Sequence, residues 1–159
     1  MKKTITNEIR CTFLSKSENE ALARSIISGF LIPLDPDVEE LADIRCAVSE
    51  AVTNCIVHAY RDTIGKISLD AKCYDDRTVK ITVTDHGVGI PEDAMPHIFD
   101  RFYRVDKARS RAAGGAGLGL SIVYDMVQRN YGTISAKPNQ ESGTRFTVTF
   151  PLFELPDAI

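Results

Sequence analysis

The 159-residue sequence lacks several features that direct a chain to a membrane or to nucleic acid. No apolar stretch approaches the length that spans a bilayer, and residues 1–6 are not followed by the apolar run of a signal peptide. The charge is mixed and mildly acidic, net −3 at pH 7, which gives no electrostatic case for nucleic-acid binding. We therefore expect a cytoplasmic protein that binds neither a membrane nor nucleic acid.

Close cysteine pairs, internal repeats and linkers are also absent. Cys11, Cys46, Cys55 and Cys73 are scattered, without the spacing that zinc sites use. Cys55 falls on the apolar face of a predicted helix and Cys73 in a predicted strand, so both are interpreted as small buried hydrophobic residues. The length suits one domain, and we expect residues 1–159 to form it.

Hydrophobic periodicity predicts the order strand, helix, helix, two strands, loop, helix, two strands. This order differs from the strict alternation of a parallel doubly wound sheet, and it favours a two-layer α/β sandwich with helices on one face of a mixed, mostly antiparallel sheet. A capping box at Ser17 opens the first helix, and Asp35 or Asp37 caps the second, long helix. The predicted elements are a strand at 7–15, helices at 17–30 and from 37 to 60–65, strands at 67–73 and 79–83, a helix ending near 129, and strands at 132–136 and 145–150.

One face of the long helix carries Glu50, Asn54 and His58 at intervals of four residues, opposite an apolar stripe. Solvated polar side chains are the ordinary explanation for such a face. The alternative is chemical, because an Asn carbonyl is a hard ligand for Mg²⁺ and a Glu can orient or deprotonate a nearby hydroxyl. The helix alone leaves both explanations open.

Asp85, Gly87 and Gly89 follow the second strand of a predicted hairpin. A turn at the end of a strand explains most sequences of this form. A carboxylate there can also accept a hydrogen bond from an exocyclic amine, and the glycines let a flat ring approach the backbone. The dipeptide Gly143-Thr144, taken alone, indicates a turn.

A second glycine-rich stretch, residues 114–119, precedes the last predicted helix. It does not follow a strand and is therefore no dinucleotide fingerprint. At a helix N-terminus it still offers free backbone N–H groups and a positive dipole end to phosphates. The preceding polar segment, 91–116, is interpreted as a lid that orders on nucleotide. Its basic residues are Arg101, Arg104, Lys107, Arg109 and Arg111.

Together these motifs resemble the N, G1, F, G2 and G3 boxes of the Bergerat or GHKL ATPases, a superfamily that includes gyrase B, heat-shock chaperones and histidine kinases. The resemblance covers about residues 37–150. The five motifs, in order, are Glu50-x-x-x-Asn54, Asp85-x-Gly87-x-Gly89, Phe99-Asp100-Arg101-Phe102, Gly115-x-Gly117-x-Gly119 and Gly143-Thr144.

The resemblance implies ATP and Mg²⁺ as cofactors. Asp85 would hold the adenine amino group with support from Thr144, Asn54 would bind Mg²⁺, and Glu50 would be the catalytic base. The other nucleotide-binding residues that it implies are Gly87, Gly89, Arg104, Lys107, Gly115, Gly117, Leu118 and Gly119.

The two halves of the chain resemble different members of the superfamily. Residues 102–110 and 117–123 are similar to the lid of a sensor histidine kinase. Residues 13–20, 34–36 and 48–54 resemble the bacterial anti-sigma factor serine kinases of the sporulation anti-sigma F type. Histidine kinases commonly have Asn where this chain has Glu50, and a serine hydroxyl needs the help with its proton that an imidazole does not.

The function implied is that of an ATP-dependent serine kinase that sequesters a sigma factor and phosphorylates a serine of its anti-anti-sigma antagonist. Residues 1–36, with Arg24, are the expected partner or homodimer contact. Two alternatives stay open: a stand-alone histidine-kinase catalytic domain that phosphorylates a histidine in trans, and a nucleotide-gated binding switch without significant kinase activity.

Overall fold

The computed structural model describes residues 2–105 and 119–153. An N-terminal strand and two antiparallel hairpins form one sheet. Among these residues, two helices lie between the strand and the first hairpin in the chain, and a third lies between the two hairpins. The elements are β1 (Ile5–Leu14), α1 (Glu18–Leu31), α2 (Val38–Asn54), β2 (Lys66–Tyr74), β3 (Thr78–Asp85), α3 (Gly119–Arg129), β4 (Thr133–Pro138) and β5 (Thr144–Pro151), with short 3₁₀ turns at Ile32–Leu34 and Met95–His97.

The sheet has the order β1-β2-β3-β5-β4. Every neighbouring pair of these described strands is antiparallel, so the sheet is simpler than the mixed one expected from the sequence. In β2 and β3 alternate residues are buried because successive side chains of a strand point to opposite faces. Ile67 and Leu69 of β2 and Ile81 of β3 thus point into the core.

Helices α1, α2 and α3 contribute to the same hydrophobic core as the buried face of the sheet, which confirms the two-layer α/β sandwich. Helix α2 lies between α1 and α3 and contacts both. Its predicted apolar stripe is buried at Ile44, Val48 and Val52 and only partly buried at its first residue, Leu41. No helix in the described ranges is long and apolar enough to cross a bilayer.

The two predicted helix caps have different outcomes. Asp37 caps α2 as expected: its side chain accepts a hydrogen bond from the Glu40 N–H, and the Glu40 side chain accepts one from the Asp37 N–H. The prediction of a capping box at Ser17 is wrong. Ser17 has helical dihedral angles, and its side chain makes no capping hydrogen bond. Glu20, the expected second member of that box, instead accepts a hydrogen bond from Ser49 of α2.

Helix α2 does not continue regularly to residues 60–65. Directly after Asn54 the chain forms a π-helical turn, Cys55–Ala59, closed by a hydrogen bond from the Tyr60 N–H to the Cys55 carbonyl. Such turns shift the helical register by one residue and occur frequently at functional sites. As a result His58 is exposed, and it leaves the line of Glu50 and Asn54 predicted from regular spacing.

Candidate active site

Asp85, the last residue of β3, is a buried carboxylate with 2% of its surface exposed. Its Oδ1 atom accepts hydrogen bonds from the backbone N–H of Gly87 (3.0 Å) and of Thr144 (3.1 Å). Its Oδ2 atom accepts one from the Cys55 thiol, with 3.4 Å between Sγ and Oδ2. The two motifs that carry Asp85 and Thr144 are therefore adjacent, because β3 pairs directly with β5.

The Asp85 carboxylate retains capacity to accept a further hydrogen bond. Each carboxylate oxygen offers about two lone-pair positions, so two donors fill Oδ1 while one donor leaves a position on Oδ2. Within the described ranges no Lys or Arg forms an ion pair with this carboxylate. Because a buried carboxylate needs donors to offset its desolvation, the site fits a ligand that presents an amino group.

The glycines next to Asp85 keep the backbone close on either side of it. A Cβ atom on Gly87 would overlap the Ala59 carbonyl at the end of the π-helical turn. Gly143 has φ +90° and lies against Asp85, and Gly89 has φ +76° and lies against Gly143. Positive φ favours glycine at both positions. The glycines of the two motifs thus belong to one cradle around the carboxylate.

A second set of hydrogen bonds fixes the chain that follows Asp85. The Tyr60 hydroxyl accepts a hydrogen bond from the His86 N–H (2.7 Å) and donates one to the Lys66 carbonyl (2.5 Å). The Asn139 side-chain amide lies 3.1 Å from His86 Nδ1 and 3.4 Å from the Asp85 carbonyl. The sequence analysis did not assign Tyr60 or Asn139 to the site, and their spacing from Asp85 gives no signal that would have identified them.

Glu50 and Asn54 lie one helical turn apart near the end of α2, and both are half-buried. The Asn54 side-chain amide donates to the Glu50 carbonyl (2.8 Å) and to Glu50 Oε1 (3.4 Å). Asn54 Oδ1 accepts no hydrogen bond within the described part of the chain. Burial raises the pKa of the Glu50 carboxyl, and the hydrogen bond from Asn54 opposes this rise.

Helix α3 begins beside Glu50. A Cβ atom on Gly119 would overlap the Glu50 carboxylate, so the first residue of α3 packs directly against that group. The first N–H groups of a helix have no intrahelical partner. The start of α3 therefore brings backbone N–H donors to the Glu50 side of the site. Cys55, which directly follows the last residue of α2, donates a hydrogen bond to Asp85.

Only part of the predicted lid is described. Ile98 is buried and Phe99 packs on Tyr124 of α3 with 5.7 Å between ring centroids, whereas Phe102 is 69% exposed. Phe102 of the third motif therefore lies outside the core. Arg104 is half-buried. Lys107, Gly115, Gly117, Leu118, Arg109 and Arg111 lie outside the described residues.

The sequence matches the family model described as histidine kinase-, DNA gyrase B- and HSP90-like ATPase over residues 40–154. The chain belongs to this family. The match includes α2, the Asp85 cradle and α3, and it confirms the resemblance drawn from the five motifs. Members of the family are ATP-binding kinases and ATPases, and ATP is therefore the nucleotide expected at the site.

Two curated relatives match this ATPase-family chain over different lengths. An anti-sigma F factor from Caldanaerobacter subterraneus subsp. tengcongensis is 44% identical over 119 residues, which is 74% of this chain and 77% of that protein. The signal transduction histidine-protein kinase ArlS of Staphylococcus aureus is 56% identical over 70 residues, which is 44% of this chain and 16% of that protein. The relatives thus include both kinds of protein that the motifs resemble.

Solved structures show the same fold. The catalytic domain of the histidine kinase ThkA has a TM-score of 0.60 at 20% identity, with 91% of this chain and 96% of that chain covered. Identity at this level supports the fold alone. This chain therefore shares the fold of that histidine-kinase catalytic domain.

The described residues fit Mg²⁺ and ATP. The buried Asp85 carboxylate keeps one acceptor position for an amino group, and the glycines hold the backbone close around that carboxylate. Among the described residues no three His, Cys, Asp or Glu side chains could together hold a metal ion. Mg²⁺ typically takes one or two protein oxygens together with water and phosphate oxygens, and Asn54 Oδ1 suits that mode.

Proposed function

We propose that this chain is an ATP-dependent protein serine kinase that also binds a sigma factor and phosphorylates a serine of that factor's antagonist. Similarity to an anti-sigma F factor over three quarters of both chains supports the sigma-binding part. The half-buried Glu50, one turn from Asn54 and against the start of α3, supports the kinase part. That pairing of a base with a candidate metal ligand is the observation that carries the proposal.

The residues divide the chemistry among them. Asp85 Oδ2 would accept a hydrogen bond from the adenine amino group, and Asn54 Oδ1 would be a ligand of Mg²⁺. When bound, ATP would supply the γ-phosphoryl group and leave as ADP, and Mg²⁺ would offset the charge of the phosphates. Glu50 accepts the proton of the serine hydroxyl at its carboxylate, and its raised pKa makes it a stronger base. Positioning and charge stabilisation account for most of the catalysis of phosphoryl transfer, which suits this small set of groups.

The basic residues of the lid, Arg104 and Lys107 among them, offset the charge that develops on the transferring group. The N–H groups at the start of α3 bind the phosphates together with the glycine-rich residues 115–119. Because the lid and the start of α3 are continuous in the chain, bound nucleotide orders the lid and thereby changes affinity for protein partners.

A second function, phosphorylation of a histidine in trans, is favoured by one observation. Identity with ArlS reaches 56%, higher than with the anti-sigma F factor, but over only 44% of the chain. The chemical argument against it is Glu50, because an imidazole nitrogen is already nucleophilic near neutral pH and needs no base.

Incubation of the purified protein with labelled ATP and a lysate of its own cell separates the functions. Acid-stable phosphoserine on a small protein supports the serine kinase, and acid-labile phosphohistidine supports the alternative. Label on neither, combined with nucleotide-dependent retention of a sigma factor, indicates a binding switch instead. A Glu50→Gln protein run in parallel shows whether any transfer depends on the proposed base.

Residues 1–36 form the proposed contact for a partner or for a second copy of the chain. Helix α1 within this segment is connected to the catalytic helix, since Glu20 accepts a hydrogen bond from Ser49, the neighbour of Glu50. Arg24 pairs with the same carboxylate at 3.2 Å. An Arg24→Ala protein should retain less sigma factor while binding nucleotide as the parent does. Sedimentation of both proteins tests whether the chain is a dimer.

A further inference from the structure

Cys55 has a specific position that its burial alone does not explain. It is the first residue of the π-helical turn, it directly follows Asn54, and none of its surface is exposed. Its Sγ atom lies 3.4 Å from Asp85 Oδ2, across 30 positions of sequence. At the π-helical turn, the candidate metal ligand Asn54 is thus followed directly by Cys55, the hydrogen-bond partner of Asp85.

The thiol is a hydrogen-bond donor to this carboxylate. The fully buried Sγ atom lies within hydrogen-bonding distance of Oδ2, and because a carboxylate oxygen only accepts, the thiol supplies the proton of this contact. The two donors to Oδ1, from Gly87 and Thr144, are backbone N–H groups. Within the described residues Cys55 is accordingly the one side chain that donates to the carboxylate, and it does so at the oxygen that retains an acceptor position.

We propose that Cys55 is a positioning residue for base recognition: its thiol fixes Oδ2 of Asp85 so that the remaining lone pair of that oxygen meets the amino group of a purine. The inference rests on the proposed nucleotide site and adds to it the group that makes the site selective for adenine over a purine with a carbonyl at the same position. A thiol suits this role because it is a weak donor: it orients the carboxylate and leaves the other lone pair of Oδ2 for the adenine amino group.

Selectivity follows from what each base offers to Oδ2. Adenine offers an N–H donor there, whereas hypoxanthine offers a carbonyl oxygen and gains nothing from a fixed acceptor. Without the thiol, Oδ2 loses its only described protein donor, and the space left by Sγ lets the carboxylate turn. Adenine binding then weakens, and hypoxanthine binding, which does not use Oδ2, stays as it was.

The test measures binding of ADP and of inosine diphosphate (IDP) by calorimetry to the full chain and to three variants. Cys55→Ala removes the donor, and Cys55→Ser keeps a hydroxyl donor. Cys73→Ala is the matched control. Cys73 is also a buried cysteine, 2% exposed, but it belongs to strand β2 and points into the hydrophobic core. We expect Cys55→Ala to weaken ADP binding about three- to tenfold with IDP unchanged. Cys55→Ser should recover most of the ADP affinity, and Cys73→Ala should affect neither nucleotide.

Three results overturn the inference: ADP affinity of Cys55→Ala within twofold of the parent, equal losses for ADP and IDP, or equal losses in the alanine and serine variants. Melting temperatures of all variants without nucleotide identify losses that come from unfolding. Asp85→Asn separates this inference from the proposed function. If Asp85→Asn abolishes ADP binding while Cys55→Ala does not alter it, only the role of Cys55 fails. If the parent binds no ADP, the nucleotide site itself fails.

Discussion

Gly119 packs so closely against Glu50 that a Cβ atom at position 119 would overlap the Glu50 carboxylate. This contact joins the first residue of α3 to the face of α2 that carries the proposed base. Since the overlapping group is the end of a flexible side chain and not backbone, a small side chain at position 119 would push the carboxylate aside and leave the fold in place. The contact therefore allows the position of the proposed base to be tested without removing it.

Gly119→Ala should lower the rate of serine phosphorylation about tenfold or more, because a misplacement of about 1 Å can cost as much as a hundredfold in rate. Stability should change little, since alanine is the better helix former and offsets the local crowding. Initial rates and the melting temperature measure the two effects. A variant with the parental rate would show that the Glu50 carboxylate does not need its present position.

Glu50→Gln keeps the size of the side chain and removes the base. We expect the phosphorylation rate to fall about 10²- to 10⁴-fold while the affinity for ADP stays near the parental value. Quench-flow measurement of phosphoserine and calorimetry with ADP give the two quantities. A rate close to the parental one would remove Glu50 from the mechanism, whatever the acceptor.

Glu50→Gln should also change the stability of the protein, and the raised pKa of Glu50 determines the direction of that change. The folded state binds the Glu50 proton more tightly than the unfolded state does. The resulting stabilisation is fully present below the ordinary pKa of a glutamate and is lost as pH rises through the raised folded value. At neutral pH the ionised carboxylate thus costs stability, so Glu50→Gln should melt at a higher temperature than the parent.

The control for that measurement is Glu92→Gln, because Glu92 is exposed. Its melting temperature should equal that of the parent throughout the pH series. The advantage of Glu50→Gln should shrink as the solution is acidified, since the parental carboxyl then takes up its proton. An advantage that is constant with pH, or a lower melting temperature at neutral pH, would contradict the assigned cause.

Gly87→Ala tests the backbone contact between the Asp85 cradle and the π-helical turn. The added Cβ would overlap the Ala59 carbonyl, and we expect a loss of about 1–3 kcal/mol in the free energy of unfolding together with weaker ADP binding. Gly29→Ala in α1 is the matched control, because a Cβ there meets no atom within 4 Å. Chemical denaturation should show Gly29→Ala to be as stable as the parent or up to about 1 kcal/mol more stable.

The sequence predicted best those elements whose pattern is local. The alternation of Ile67, Leu69 and Ala71 specified β2 because a strand with one buried face needs a period of two, and the structure has that face buried. Asp37, one of the two residues predicted to cap α2, formed its cap for the same local reason. The prediction from the similar pattern at Ser17 was wrong, because Glu20 accepts a hydrogen bond from Ser49 of another helix instead.

The parts of the site that escaped prediction are those that depend on tertiary packing. Cys55 was interpreted as a small hydrophobic residue, and its burial is confirmed, but its hydrogen bond to Asp85 requires the π-helical turn to meet the end of β3. Asn139 reaches the same strand end from the β4–β5 connection. The motifs indicated Glu50, Asn54, Asp85 and Thr144 as site residues, and their individual roles stay predictions.

A crystal structure of the protein with Mg²⁺ and a non-hydrolysable ATP analogue is the most direct test of the nucleotide site. We predict the adenine amino group within hydrogen-bonding distance, about 3 Å, of Asp85 Oδ2. Mg²⁺ should lie about 2.1 Å from Asn54 Oδ1, on the side of α2 that carries Glu50. A complex in which the nucleotide lies elsewhere and neither Asp85 nor Asn54 touches it would contradict the account.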